Sequence, residues 1–340
     1  MLRQAQRTPV VGVTRRGTRP RGLRLSWRAL LVVASLTLLA PGVQSASASD
    51  TDHDARNGRI VFGRFDTSLG DFHLLIADSR GAHQHRLLPR VAECPRWSPD
   101  GRRLVICMAN PTGVLRPATI NAEGSGLTIL DIADPALNLA CDAWARNGAT
   151  LLCEGWDDAR PDRAGLYSVR ARDGGGLTRV TRNPFGGHDI PGDYSPDGTS
   201  MTFIRVRPGA PQDTFAVFTA NTHGGAIRQV TPYGLANCCF ARWEPGGEDI
   251  LFTSTDGSLY TVHPDGRHLQ KIVLDIAGGG SYAFAAGWAP DASRVIFSMY
   301  RSTTNQVDVY TASASGRSVV QVTNTPEDDD LADWGRKPSG

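Results

Sequence analysis

Cys94-Pro95-Arg96-Trp97-Ser98-Pro99-Asp100-Gly101-Arg102-Arg103-Leu104-Val105-Ile106-Cys107 reads as two short apolar strands around a turn. Pro99 pre-sets φ for the first turn position, Asp100 can bond its own backbone, and Gly101 accepts φ > 0. The turn therefore joins two antiparallel strands in a tight hairpin. The pattern returns as Trp144-Ala145-Arg146-Asn147-Gly148, Tyr194-Ser195-Pro196-Asp197-Gly198, Trp243-Glu244-Pro245-Gly246-Gly247 and Trp288-Ala289-Pro290-Asp291-Ala292, and fades at Trp334-Gly335. The six anchors, Trp97, Trp144, Tyr194, Trp243, Trp288 and Trp334, stand 47, 50, 49, 45 and 46 residues apart. A period of that size means stacked supersecondary units.

Seven and nine residues after each anchor stand apolar residues: Leu104/Ile106, Leu151/Cys153, Met201/Phe203, Ile250/Phe252 and Val295/Phe297. Residues two apart on a strand share a face. Ile60-Val61-Phe62 has the same shape with no anchor before it, whereas Trp334 is an anchor with nothing after it. Each half-unit supplies what the other lacks. Between anchors lies an alternating strand, a Gly turn and a short segment such as Arg179-Val180-Thr181, Gln229-Val230-Thr231 or Gln321-Val322-Thr323. Units of about four strands and 40–50 residues are propeller blades. The expected fold is all-β: a six-bladed β-propeller of four-stranded blades, closed by pairing the C-terminal strand with the N-terminal blade. A pair of β-sandwiches would not explain six anchors at one spacing.

The first 48 residues are a different material. They carry eight Arg and no acid, then an apolar run from Ala29 to Ala40 and the small-residue stretch Ser45-Ala46-Ser47-Ala48. This is the pattern of a secretory signal peptide cleaved near Ala48. The run is short for a membrane span, which takes about 20 apolar residues; retention as an anchor is the alternative. The expected division is signal peptide 1–48, linker 49–57, propeller 58–335 and tail 336–340, with the product secreted or held in the periplasm or cell envelope as a monomer. The whole chain is +2, but removing eight of its 36 basic residues leaves 28 against 34 acidic ones, about −6. No basic cluster survives processing, which argues against a nucleic-acid partner.

Trp-Ser-Pro-Asp-Gly followed by the apolar pair, with a Val-Thr strand end, resembles the TolB-type propeller repeat. The likeness covers residues 58–335, is strongest at Trp97 and Tyr194, and is weakest at Trp144 and Trp334. TolB carries an extra N-terminal α/β domain, and here only residues 49–57 lie between signal and propeller. The resemblance implies an exported, non-catalytic scaffold that binds a protein or cell-envelope partner.

Six Cys in an exported chain are disulfide candidates: Cys94, Cys107, Cys141, Cys153, Cys238 and Cys239. Cys94 and Cys107 flank the Trp97 turn, as Cys141 and Cys153 flank that of Trp144. The pairs sit at −3/+10 and −3/+9 from their anchors, so at least one hairpin should contain a bulge. Cys238 and Cys239 are adjacent and read either as a vicinal disulfide or as two thiols.

The candidate binding groups are acidic. His188-Asp189 and Asp193 precede Tyr194; Glu327, Asp328, Asp329, Asp330 and Asp333 precede Trp334. Gathered at one channel mouth, Asp189, Asp328, Asp329 and Asp330 would suit Ca²⁺ or a cationic partner. His188 beside Asp189 has the composition of a general-base pair. The loops before Trp243 and Trp288 look nearly empty of such groups. No Gly-x-Ser-x-Gly, His-Glu-x-x-His or phosphate-loop motif occurs. The chain therefore reads as a scaffold without catalytic residues or cofactor. The competing reading is a propeller lyase or hydrolase with a metal in its channel.

Overall fold

The computed structural model describes residues 56–338 except 210–211, 238–239 and 277–280. The signal-peptide expectation and the Cys238/Cys239 pair lie outside the described residues. Six four-stranded sheets make up the fold, and every strand pair in them is antiparallel. Among the described residues there is no α-helix, and no helix is long and apolar enough to cross a membrane. Counting from the N-terminus, blade 1 is built from Asn57–Asp66, Asp71–Ala77 and His85–Val91, with Asp329–Arg336 as its inner strand. The inner strands of blades 2 to 6 are Glu93–Trp97, Asn138–Trp144, Asp189–Tyr194, Arg242–Trp243 and Ser281–Trp288.

One register rule holds in every blade. The residue seven after the anchor lies directly across from it: Trp97 opposite Leu104, Trp144 opposite Leu151, Tyr194 opposite Met201, Trp243 opposite Ile250 and Trp288 opposite Val295. In blade 1 the partner of Trp334 is Ile60, from the other end of the chain. The ring is thus closed by the two half-units that sequence leaves incomplete. Closure also joins cores, since Ile60 and Phe62 pack with Ile296 and Val309 of blade 6. On the other side, Val61 and Leu74 pack with Trp97, Leu104 and Ile106 of blade 2. Burying each such side chain contributes about 1.5–3 kcal/mol.

The turn works as its residues dictate. Ser98 Oγ donates to Asp100 Oδ1 (2.6 Å) and accepts from Arg103 N (2.9 Å), and Gly101 has φ +68°. Ser195, Asp197 and Ser200 repeat the bonds, with Gly198 at +75°. The Val-Thr strand end also has a cause. Thr181, Thr231 and Thr323 accept at Oγ1 from the backbone N–H of Leu166, Val217 and Val309 (2.9–3.0 Å). Each threonine satisfies a buried donor of the neighbouring strand.

Both cysteine hairpins contain a bulge, and the bulges separate their fates. Cys141 lies directly across from Cys153, and the two form a disulfide. In blade 2 the register shift puts Glu93 opposite Cys107 and leaves Cys94 in the bulge at φ +55°. The expected Cys94–Cys107 bridge is therefore not formed; both are free, buried thiols. The bulge is general. The inner strands of blades 1, 2, 3, 4 and 6 all shift register just before the anchor. Leu331 and Ala285 share the position of Cys94, with φ +55° and +49°. Such a bulge kinks the strand and re-aims the residues that follow it.

Candidate functional site

Inner-strand residues, in five of the six blades just after a bulge, line a funnel of about 750 Å³ at the anchor-turn face of the ring. The position immediately before each anchor holds Asp333, Arg96, Ala143, Asp193, Arg242 and Gly287, going round from blade 1 to blade 6. The order is acid, arginine, small residue, and then the same again. Opposite blades therefore present like groups, and two gaps face each other at Ala143 and Gly287. The funnel is blind. Cys94, Ala140, Phe240, Phe284 and Leu331, from five different blades, form one buried cluster across the channel.

Arg96 and Arg242 lie on that floor, their guanidinium carbons 4.1 and 4.5 Å from the centre of the Phe240 ring. Cation–π contact of this kind is strongest where water is excluded. Arg242 donates to the carbonyls of Asp142 (3.0 Å) and Gly192, and Arg96 donates to the carbonyl of Pro95 (2.8 Å). Burial lowers Arg242 to about 10, aided by the nearby Arg96 and opposed by Asp193, Asp333 and Asp142. Asp142 is 1% exposed and neither carboxylate oxygen has a hydrogen bond; its nearest cation is Arg96 Nη2 at 3.9 Å. Burial raises Asp142 to about 6 against the pull of Arg96 and Arg242. Asp193 is likewise raised to about 6 by desolvation.

The acidic groups expected at one mouth are divided between two. Asp193 and Asp333 belong to the funnel, whereas Asp189 and Asp329 open their inner strands. Four residues of strand separate the members of each pair, roughly 13 Å of chain. Asp189, fully buried, takes two 2.8 Å bonds from Arg205 and one of 2.6 Å from Thr181. Asp329, also fully buried, takes bonds of 2.7 and 2.9 Å from Arg64. These are matching bidentate ion pairs, one in blade 4 and one in blade 1. Asp328 accepts from Val307 N (3.0 Å), and Asp330, raised to about 6 by burial, accepts from Leu331 N. Among the described residues no group of three or more His, Cys, Asp or Glu is placed to hold a metal ion. The His188–Asp189 pair does not form either, for His188 Nδ1 bonds Glu154 while Asp189 faces Arg205.

The anchors line the funnel wall, but they are mostly buried side chains wedged between blades. Trp97, for example, packs against Gly335, where a Cβ would meet the indole ring. Arg96, Asp142 and Arg242 are funnel-lining residues that motif reading passes over. Their signal is positional: they stand one or two residues before an anchor, on the inner strand.

Residues 57–337 match the family described as the TolB beta propeller domain. An uncharacterized protein of Agrobacterium fabrum is 24% identical over 267 residues, covering 62% of this chain and 86% of that protein. TolB from Acinetobacter baumannii superposes with a TM-score of 0.64 at 14% identity, over 82% of this chain and 66% of that one. This chain thus spans just under two thirds of that TolB's length. A TolB-type structure from Agrobacterium tumefaciens superposes with a TM-score of 0.58 at 17% identity, over 84% of this chain and 99% of the other.

Proposed function

This chain belongs to the TolB β-propeller family, and we propose that it is an exported, non-catalytic scaffold that binds a protein or cell-envelope partner in the funnel. The observation that supports this reading is the funnel itself. It is concave, charged on opposite sides, closed below by Phe240 and Phe284, and walled by aromatic anchors. Concave sites with a few converging polar groups are where partners seat. The basic and apolar N-terminal stretch supports export. The ion-paired state of Asp189 and Asp329 supports a site that works without a metal.

The test uses Gly287, because a Cβ there meets only Ile296 Cγ2, at an ordinary 3.6 Å. Gly287→Trp should fill the funnel while leaving the melting temperature nearly unchanged. Immobilised wild-type protein is expected to retain a partner from envelope fractions, and Gly287→Trp to lose it. Phe185→Ala, at an exposed residue that does not line the funnel, serves as the control. Equal retention by all three proteins would remove the funnel from the function. Mass spectrometry of secreted material should find an N-terminus near Ser49; an intact Met1 there would defeat cleavage near Ala48, and absence of the chain from secreted and envelope fractions would defeat the export reading.

A further inference from the structure

The ionic surface that the funnel floor offers to a visitor is carboxylate, with Arg146 and Arg336 exposed elsewhere on the lining. Asp193 and Asp333 are half-buried and stand in opposite blades, 4 and 1. Each has one oxygen held by an anchor backbone: Asp193 Oδ1 accepts from Tyr194 N (2.9 Å), and Asp333 Oδ2 from Trp97 N (2.8 Å). These bonds fix the carboxylates and leave Asp193 Oδ2 and Asp333 Oδ1 without a hydrogen bond. Asp142 stands behind them, 1% exposed, with both oxygens unpartnered. Arg96 and Arg242 are only 5% and 7% exposed, both over the Phe240 ring. Arg96 Nε and Arg242 Nη2 also lack partners, but solvent does not reach them. On the floor, three carboxylates against two guanidiniums leave an excess of one negative charge, which the exposed Arg146, Arg336 and Asp197 of the lining bring to neutrality over the funnel as a whole; the floor atoms open to a visitor are the acidic ones.

We infer that the funnel floor recognises a single basic group, a guanidinium or an ammonium, inserted by the partner protein between Asp193 and Asp333. The inference rests on the reading of the funnel as the partner site. A cation placed there completes the two open oxygens and neutralises the excess charge that Asp142 backs. Preset acceptors need no reorganisation on binding, which is where such a site gains over water. The Ala143 and Gly287 gaps leave room on both sides for the backbone that carries the group.

The experiment is calorimetric titration of the purified protein at 50 mM salt with four probes: the acetyl amides of arginine, lysine, norleucine and glutamate. The arginine and lysine probes should bind saturably and more tightly than norleucine, with glutamate not binding. Asp193→Asn and Asp333→Asn should each weaken the basic probes by about fivefold, the effect of one half-exposed ion pair. Both substitutions keep an oxygen for the anchor N–H, and a thermal melt checks that each variant folds. If neither folds, the ranking of the four probes on the wild type still decides. Binding should also weaken from pH 7.5 to pH 5, because Asp193 and Asp142 titrate near 6. Arg96, Arg242, Asp333 and Glu154 are the charged groups acting on them.

Norleucine binding as well as arginine, glutamate binding best, or unchanged affinity in the Asn variants would each overturn the inference. Failure here remains separable from failure of the funnel reading. Gly287→Trp losing the partner while basic probes do not bind would refute only the basic group. Gly287→Trp keeping the partner would refute the site.

Discussion

Asp142 shows how a single residue sets a property of the whole protein. Its carboxyl, ordinarily near 3.8, is raised to about 6 by burial, so the folded state holds a proton more readily than the unfolded chain. Stability from this group is greatest below its ordinary value and falls as pH rises through about 6, by on the order of 3 kcal/mol. Asp330 acts in the same direction. Asp197, held near 2 by Ser195 and Thr199, acts oppositely but only at lower pH. The melting temperature should therefore fall between about pH 4.5 and 7. Asp142→Asn should flatten that slope and melt higher than wild type at pH 7.5; an unchanged pH profile would show that Asp142 is not the cause. A buried charge whose partner is removed behaves differently. Asp189→Ala strands Arg205, and a loss of about 3–5 kcal/mol is expected in denaturant melts. Because that carboxylate belongs to Arg205, Ca²⁺, Mn²⁺ and chelator should each move the wild-type melting temperature by no more than about a degree. A saturable shift would reopen the metal reading.

At the level of the hairpin, one position departs from the pattern. Gly101, Gly148, Gly198 and Gly247 close their turns at positive φ, but in blade 6 the place is taken by Ala292, at φ +63°. A Cβ in that region costs about 1–2 kcal/mol. Ala292→Gly should recover about 1 kcal/mol, seen as a higher denaturant midpoint with an unchanged slope. A lower midpoint would mean that the methyl group packs better than the strain costs. The cysteine hairpins give a second test of local geometry. Reduction of Cys141–Cys153 should cost roughly 3 kcal/mol in the chain-entropy view. Cys94 and Cys107 should resist thiol reagents until the protein unfolds, because both are buried and the hydrogen bond with Cys107, together with burial, pushes the Cys94 thiol well up.

The whole ring depends on one strand. Asp329–Arg336 pairs with Asn57–Asp66, carries Asp333 into the funnel and places Trp334 opposite Ile60. Deleting residues 329–340 should expose the edge of Asn57–Asp66 and remove cooperative unfolding, with aggregation as the visible outcome. A truncated protein that melted like the full chain would mean that the ring does not need this closure.

The repeat, the turns, the six blades and the closure were legible in the sequence because they follow from local chemistry. Pro, Asp and Gly define the turn, and the residue seven places on falls opposite the anchor in every blade, even where Ile60 supplies it from the far end. The site was not legible in the same way. Asp189 and Asp329 looked available because adjacency in sequence hides the cross-strand arginines, Arg205 and Arg64, that hold them. Arg242 was passed over because nothing beside it in sequence marks it as chemical. Only tertiary structure brings positions from six blades around one axis. The bulge then selects which of them face it: the backbone kink at Cys94, Ala285 and Leu331 shifts each inner strand by a residue, and a shift of one residue exchanges the two faces of a strand. The turn residues set the blades, and the irregularity in the inner strands set the funnel.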